Sequence, residues 1–180
     1  MEIAFYVDLI IHYILLVFTL YSIVQPENRI WPPVQKGWKY HLYWNLYYSA
    51  LLLYLPILLQ EYNTWNIGEA VRYFIGIPLI VLGGALMIWG VKVLSLKNTY
   101  GLKNGLVLQA PYTITRNPQY VGDIVMISGF LLFFNSYHLS ILFLLAIITF
   151  IIMPFSEEIW LEEVYGERYV VYKAKTTRFL

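Results

Sequence analysis

The chain alternates between long apolar runs and short polar segments, and this pattern predicts its architecture. Residues 3–24 form an apolar run long enough to cross a bilayer; with no basic flank or small-residue cleavage site, it reads as a retained span. The stretch from Gln25 to His41 carries Pro26, Pro32, Pro33 and Gly37 and predicts a loop at a membrane surface, with Trp31 and Trp38 as interfacial anchors. A second span is expected over residues 42–59, kinked near Pro56, and a third over 72–96. The third contains Gly76, Pro78, Gly83, Gly84 and Gly90, which suit either close helix packing or an approach of backbone to a cofactor. After a polar connection from Lys97 to Tyr120, two shorter runs predict spans over 119–134 and 138–155, joined tightly at Asn135 to His138 as an antiparallel hairpin. Pro154 interrupts the pattern, so residues 156–180 read as a separate amphipathic tail, one helix followed by a frayed end.

These elements make an all-α, integral membrane bundle of about five transmembrane helices, a single domain over residues 1–180. Composition agrees: 59% of the 180 residues are hydrophobic and 13% charged, about half the usual charged share. A formal net charge of +1 excludes a strongly basic nucleic-acid binder. Without cysteine, the chain can have no disulfide, zinc–thiolate site or cysteine nucleophile. His12, His41 and His138 lie too far apart for metal-ligand spacing, so no metal is expected. Asp8 and His12 stand one helical turn apart inside the first run, either as a functional pair or as solvated or helix-bonded groups in its outer part.

Loop charges set an expected orientation. Lys and Arg occur in the segments 25–41, 97–120 and 156–180, and not in the connection around Glu61 or the hairpin tip at Ser136. The positive-inside rule then places the N-terminus outside and the C-terminal tail in the cytoplasm.

The densest local chemistry lies between Ala110 and Gly122. Asn117 is a good N-cap, Pro118 suits the first helical position, and Asp123 stands where a helix dipole favours an anion. Arg116 beside a helix N-terminus suits a carboxylate or phosphate, or is a snorkelling arginine next to an ordinary cap.

Ala110, Pro111, Tyr112 and the run Arg116 to Gly122 resemble the GPY…RHPxYxG signature of the isoprenylcysteine carboxyl methyltransferase and phospholipid methyltransferase superfamily. Glu157, Glu158, Leu161, Tyr165, Gly166, Tyr169, Tyr172 and Arg178 resemble its EExxLxxxFGxxYxxY…R tail. The segment Gly101 to Val107 is similar to the superfamily's lead into the first block. Asn117 stands where the isoprenylcysteine branch has histidine and matches the NPxY form of the lipid branch. The resemblance implies S-adenosylmethionine as cofactor in a cytoplasmic pocket, bound by Leu106, Val107, Tyr112, Asn117, Pro118, Tyr120, Glu157 and Glu158. It implies a lipid or lipid-modified acceptor, with Arg116 and Glu158 as the catalytic pair.

The residue types suit that chemistry. A sulfonium and an ammonium favour aromatic faces such as Tyr112, Tyr120, Trp160, Tyr169 and Tyr172 and acidic acceptors such as Glu157 and Glu158, while the cofactor's carboxylate calls for a cation such as Arg116. Methyl transfer needs mainly contact and exclusion of water. A carboxylate nucleophile needs no base; an amine must first lose a proton, for which Glu158 is the candidate. A second enzyme reading comes from similarity of Tyr120 to Asp123 to the NYxGD sequence of membrane sterol reductases, longer bundles that bind NADPH. A third is a non-enzymatic membrane subunit. Oligomeric state is not predicted.

Overall fold

A computed structural model of the chain describes residues 2–179. It is helical throughout: α1 Glu2–Val24, α2 Trp38–Glu61, α3 Glu69–Leu94, α4 Leu96–Thr99, α5 Pro118–Phe134, α6 Tyr137–Tyr165 and α7 Glu167–Lys175. α1, α2, α3 and α6 are each long and apolar enough to cross a membrane. α5 is apolar but has 17 residues, about 26 Å at 1.5 Å per residue, a little short of the ~30 Å hydrocarbon core. Outward-facing Ile3, Leu52, Phe74 and Leu82 are exposed, forming an apolar belt that a bilayer accepts and water does not.

The expected element boundaries shift for local reasons. α3 starts at Glu69 rather than Arg72 and includes a π-turn over Arg72–Gly76, where Pro78 cannot donate to the carbonyl of Phe74 and a wider turn relieves its ring. It ends at Leu94, because Ser95 turns out of the helix at φ +76°. The larger correction concerns Pro154. α6 runs unbroken through it to Tyr165, so the first ten residues of the expected tail extend the hairpin helix. A proline inside a packed membrane helix loses one hydrogen bond, and neighbouring helices hold the two halves in line. The break comes instead at Gly166, whose φ of +54° favours glycine. The last residues are not frayed: Thr177 pairs with Thr115, and Thr177 O accepts the Arg116 N–H at 2.8 Å.

α3 and α5 lie antiparallel with their backbones touching, along Gly76, Gly83 and Gly90 on one helix and Gly122 and Gly129 on the other. Each series recurs every seven residues, so one face of each helix is free of side chains. A Cβ on Gly122 would fall 2.5 Å from Met87 N and 2.7 Å from Gly83 O, both rigid backbone atoms. Packing thus accounts for these glycines. Gly122→Ala is expected to cost about 1–3 kcal/mol, the usual penalty of overpacking, seen as a lower unfolding midpoint in detergent; an unchanged midpoint would contradict the close crossing.

α1 packs on α2 and α6, and α6 also holds α5 and α2. Glu61, at the end of α2, anchors the hairpin tip by accepting from the Ser136 hydroxyl at 2.9 Å and contacting His138. Buried Arg72 donates to the carbonyl of Phe133 at 3.1 and 3.2 Å, opposing the negative end of the α5 dipole. At the other end, the proline-rich loop folds inward. Ser22 Oγ accepts the N–H groups of Ile30 and Trp31, and Trp31 stacks on Tyr43. Trp31 is 2% exposed, so it is a core residue and not the expected interfacial anchor; Trp38 is exposed.

Candidate functional site

At the end of the bundle where α5 begins, three segments distant in sequence are tied together: the loop before α5, the end of α6, and the tail after α7. Arg116 is the knot. Its Nη1 donates to the carbonyls of Lys173 at 2.8 Å and Thr176 at 2.6 Å, at the carbonyl-rich end of α7, and its Nη2 to Glu158 Oε1 at 2.8 Å. Glu158 also accepts from Arg178 Nε at 2.8 Å and Nη2 at 2.9 Å, and Lys173 Nζ lies 3.6 Å away. The Arg116 and Glu158 side chains are 8% and 5% exposed.

This geometry changes two expectations. Both terminal nitrogens of the Arg116 guanidinium are taken, by Glu158 and two backbone carbonyls, while its Nε has no hydrogen-bond partner among the described residues. Asn117 occupies the N-cap position of α5, but its side chain caps nothing: Nδ2 donates to Arg178 O at 3.0 Å, where Thr115 Oγ1 also donates. The bond from Nδ2 to the tail orients the whole amide plane, and in that orientation Oδ1 makes no capping bond. Asp123 lies in the second turn of α5, beyond the exposed N–H groups of the first.

Beside this lock opens a cleft of about 80 Å³. Of the residues expected at the cofactor, Leu106, Val107, Tyr112, Asn117, Tyr120 and Glu157 line it, as does Arg116. Pro118 and Glu158 do not line the cleft; Pro118 starts α5 and Glu158 lies behind the wall in the lock. Trp160, Tyr165, Tyr169 and Tyr172 complete the aromatic surface. Burial pushes the Tyr172 phenol up to about 12 and raises those of Tyr112 and Tyr169 further, so all three stay neutral donors.

Glu157 is held by residues from two other elements. Trp31 Nε1 donates to its Oε1 at 2.9 Å, and so does the Tyr120 hydroxyl, while Oε2 makes no hydrogen bond among the described residues. An acceptor is thus fixed in the wall with one oxygen to spare. Gln119 is a second fixed group: Nε2 donates to Thr99 Oγ1 at 3.0 Å and Tyr112 OH at 3.1 Å, and Tyr112 OH donates to Gly90 O at 3.3 Å. Trp31 and Thr99 carry no motif and were not expected here. Gln119 lies within the first signature block, flanked by Pro118 and Tyr120, and that position was its only signal.

Below the cleft, within the bundle, lies a larger cavity of about 450 Å³ whose lining comes from all four long helices and α5. It shares Thr99, Gln119 and Tyr120 with the cleft, so the two spaces are separated by one wall. α2 packs on α1 and α6 and has no extensive contact with α3, leaving the cavity's side between α2 and α3 loosely closed. His12 borders it, with Nδ1 3.1 Å from Asp8 Oδ1 and Nε2 2.7 Å from Tyr54 OH. Asp8 and His12 are 0% and 5% exposed, which removes the solvated reading and leaves a helix-bonded polar pair inside the span.

Neither a curated protein nor a solved structure matches the chain. The profile of the phospholipid methyltransferase family matches residues 71–168, more than half of the chain, from α3 through the cleft-lining loop and the α5–α6 hairpin to the start of α7. With that match over the elements that build both the cleft and the inner cavity, the chain belongs to the phospholipid methyltransferase family, whose members are methyltransferases acting on lipid-type substrates.

Proposed function

We propose that the protein transfers a methyl group from S-adenosylmethionine to a lipid-type acceptor, with the cofactor in the cleft beside the lock and the acceptor in the intramembrane cavity. The observation that carries this reading is the wall shared by the two spaces at Thr99, Gln119 and Tyr120. A water-soluble donor and a membrane-bound acceptor need adjoining compartments, one at the end of the bundle and one within it, and contact between them supplies most of the rate.

The cleft residues fit the cofactor's chemistry. The spare oxygen of Glu157 suits an ammonium or ribose hydroxyl, the tyrosines and Trp160 offer faces for a cation or an adenine ring, and Leu106 and Val107 give an apolar edge. When bound, the cofactor supplies a methyl group on a sulfonium, which a nucleophile takes directly. Arg116 and Glu158 act as a positioning pair, holding the tail over the cleft. At about 80 Å³ the cleft is tighter than the roughly 300 Å³ of a small-molecule pocket, so the segment 105–110 must lift to admit a nucleoside. That segment is lightly held, by Gly105 N–H to Tyr165 OH at 3.0 Å, Asn98 Nδ2 to Gly105 O at 3.0 Å and Tyr112 N–H to Gln109 O at 2.8 Å.

The three basic segments pack against one another at this end, through Val34 on Leu102, Arg29 on Glu163 and Thr115 on Thr177. With the positive-inside rule, this supports a cytoplasmic cleft facing the cell's cofactor supply. The family match favours this reading over the reductase and inert-subunit readings.

Titration of the purified protein with S-adenosylhomocysteine and with NADPH, followed by transfer of labelled methyl groups to membrane lipids, tests the proposal. Binding of the former alone, with label recovered in the lipid fraction, is expected. Binding of NADPH instead, or of neither together with no transfer, would overturn it.

A further inference from the structure

The inner cavity has a chemical bias that the assignment of a lipid acceptor does not require. Ten of its lining residues are Phe, Tyr or Trp, and no Lys or Arg is among them. Asp123 is the single carboxylate in the lining, and it makes no salt bridge or hydrogen bond among the described residues. It lies on α5 one turn past Tyr120 and four residues past Gln119, on the face that carries both shared-wall residues, with side-chain origins roughly 5–6 Å apart at such spacings. The elements facing it bring Tyr47, Tyr48 and Tyr54 from α2, Met87 and Val91 from α3, and His12 from α1. None of these is a permanent cation.

An unpaired carboxylate in an apolar cavity is costly unless a ligand satisfies it. Aromatic faces around it attract a cation by their ring quadrupoles, and quaternary ammonium groups are held by such cages. A carboxylate-bearing acceptor entering the same space would meet like charge, with no Lys or Arg in the lining to offset it.

Resting on the methyltransferase reading, we propose that Asp123 is the catalytic residue of the acceptor side: it binds the acceptor as an ammonium and takes its proton. In that step one proton passes from the ammonium nitrogen to an Asp123 carboxylate oxygen, the N–H bond breaks and an O–H bond forms, leaving a neutral amine and a neutral acid. The amine's lone pair is then free at the shared wall. The base is thus Asp123 rather than Glu158, whose carboxylate is committed to Arg116 and Arg178. The aromatic lining continues to hold the product, which is again a cation.

The test uses the full chain in non-ionic detergent and three probes of one chain length: hexadecylamine, hexadecanol and hexadecanoate. In the wild type the amine is expected to raise the unfolding midpoint most, the alcohol less, and the carboxylate not at all. Asp123→Asn is expected to lose the amine's advantage over the alcohol while keeping the alcohol's effect and binding S-adenosylhomocysteine as before. Its methyl transfer to an amine lipid should fall by about a hundredfold, within the range for a lost general base. Equal stabilisation by amine and carboxylate, or full transfer by Asp123→Asn, would overturn the role of Asp123. The wild-type probe series needs no variant, so it decides the binding claim even if Asp123→Asn does not fold. Failure of the wild type to bind S-adenosylhomocysteine or transfer methyl groups would instead count against the proposed function, which the probe series does not address.

Discussion

Replacing Glu158 with alanine is expected to release the C-terminal tail and destabilise the protein by about 3 kcal/mol, the low end for removing one partner of a buried ion pair. The carboxylate takes three hydrogen bonds from Arg116 and Arg178. The Arg116 side chain is 8% exposed and has no other anion in reach among the described residues, so its charge would be stranded; that of Arg178 is 30% exposed and can turn to water. Most of the cost therefore falls on Arg116. The bonds of Arg116 to Lys173 O and Thr176 O would loosen with it, and residues 167–179 should lose protection against amide exchange while α1 to α6 keep theirs. Glu158→Gln retains an acceptor for one arginine and should cost less. An unchanged unfolding midpoint together with full protection of the tail in Glu158→Ala would refute the lock.

The neighbouring carboxylate is expected to behave in the opposite way. Glu157→Gln keeps a carbonyl oxygen for Trp31 Nε1 and Tyr120 OH, so folding should change little. Glu157 lines the cleft with one oxygen unbonded among the described residues, and losing the charge there should weaken S-adenosylhomocysteine binding by about 1.5–3 kcal/mol, the worth of a hydrogen bond to a charged group. That is roughly a tenfold to hundredfold rise in Kd. Calorimetric titration of purified Glu157→Gln beside Glu158→Gln reads the contrast: affinity should fall in the first at near-constant stability, and stability should fall in the second. Wild-type affinity in Glu157→Gln would remove it from the cofactor's contacts.

The two motif blocks in the sequence carry most of the residues that come together in the candidate site. Pro118 starts α5 as its geometry demands, and Tyr112, Tyr120 and Glu157 reach one cleft with Leu106 and Val107. Arg116 and Glu158 meet at the same end of the hairpin, as an ion pair in which Arg178 joins. A sequence shows that both charges fall at the same end of a hairpin; it does not show that Arg178 and two carbonyls arrive there as well. The amide of Asn117 was assigned to its own helix because capping is a local interaction, whereas its actual partner is 61 residues away. Trp31 was placed at the membrane surface on composition alone, and only the inward fold of its loop brings it to Glu157, 126 residues on.

Helix number and placement rest on a simple physical rule: a backbone in hydrocarbon must satisfy its own hydrogen bonds, so each long apolar run becomes a helix whatever its neighbours are. The seven-residue glycine spacing adds which face of α3 meets α5. Breaks do not follow the same rule. A proline costs one hydrogen bond, which packing outweighs at Pro154, while the positive φ at Gly166 turns the chain where no hydrophobic signal changes. The two cavities lie beyond any local pattern, since an empty space belongs to all the helices around it: Asp123 reads as a first-turn dipole partner in the sequence and becomes a lone carboxylate among aromatic rings only once α1, α2, α3 and α6 close around α5.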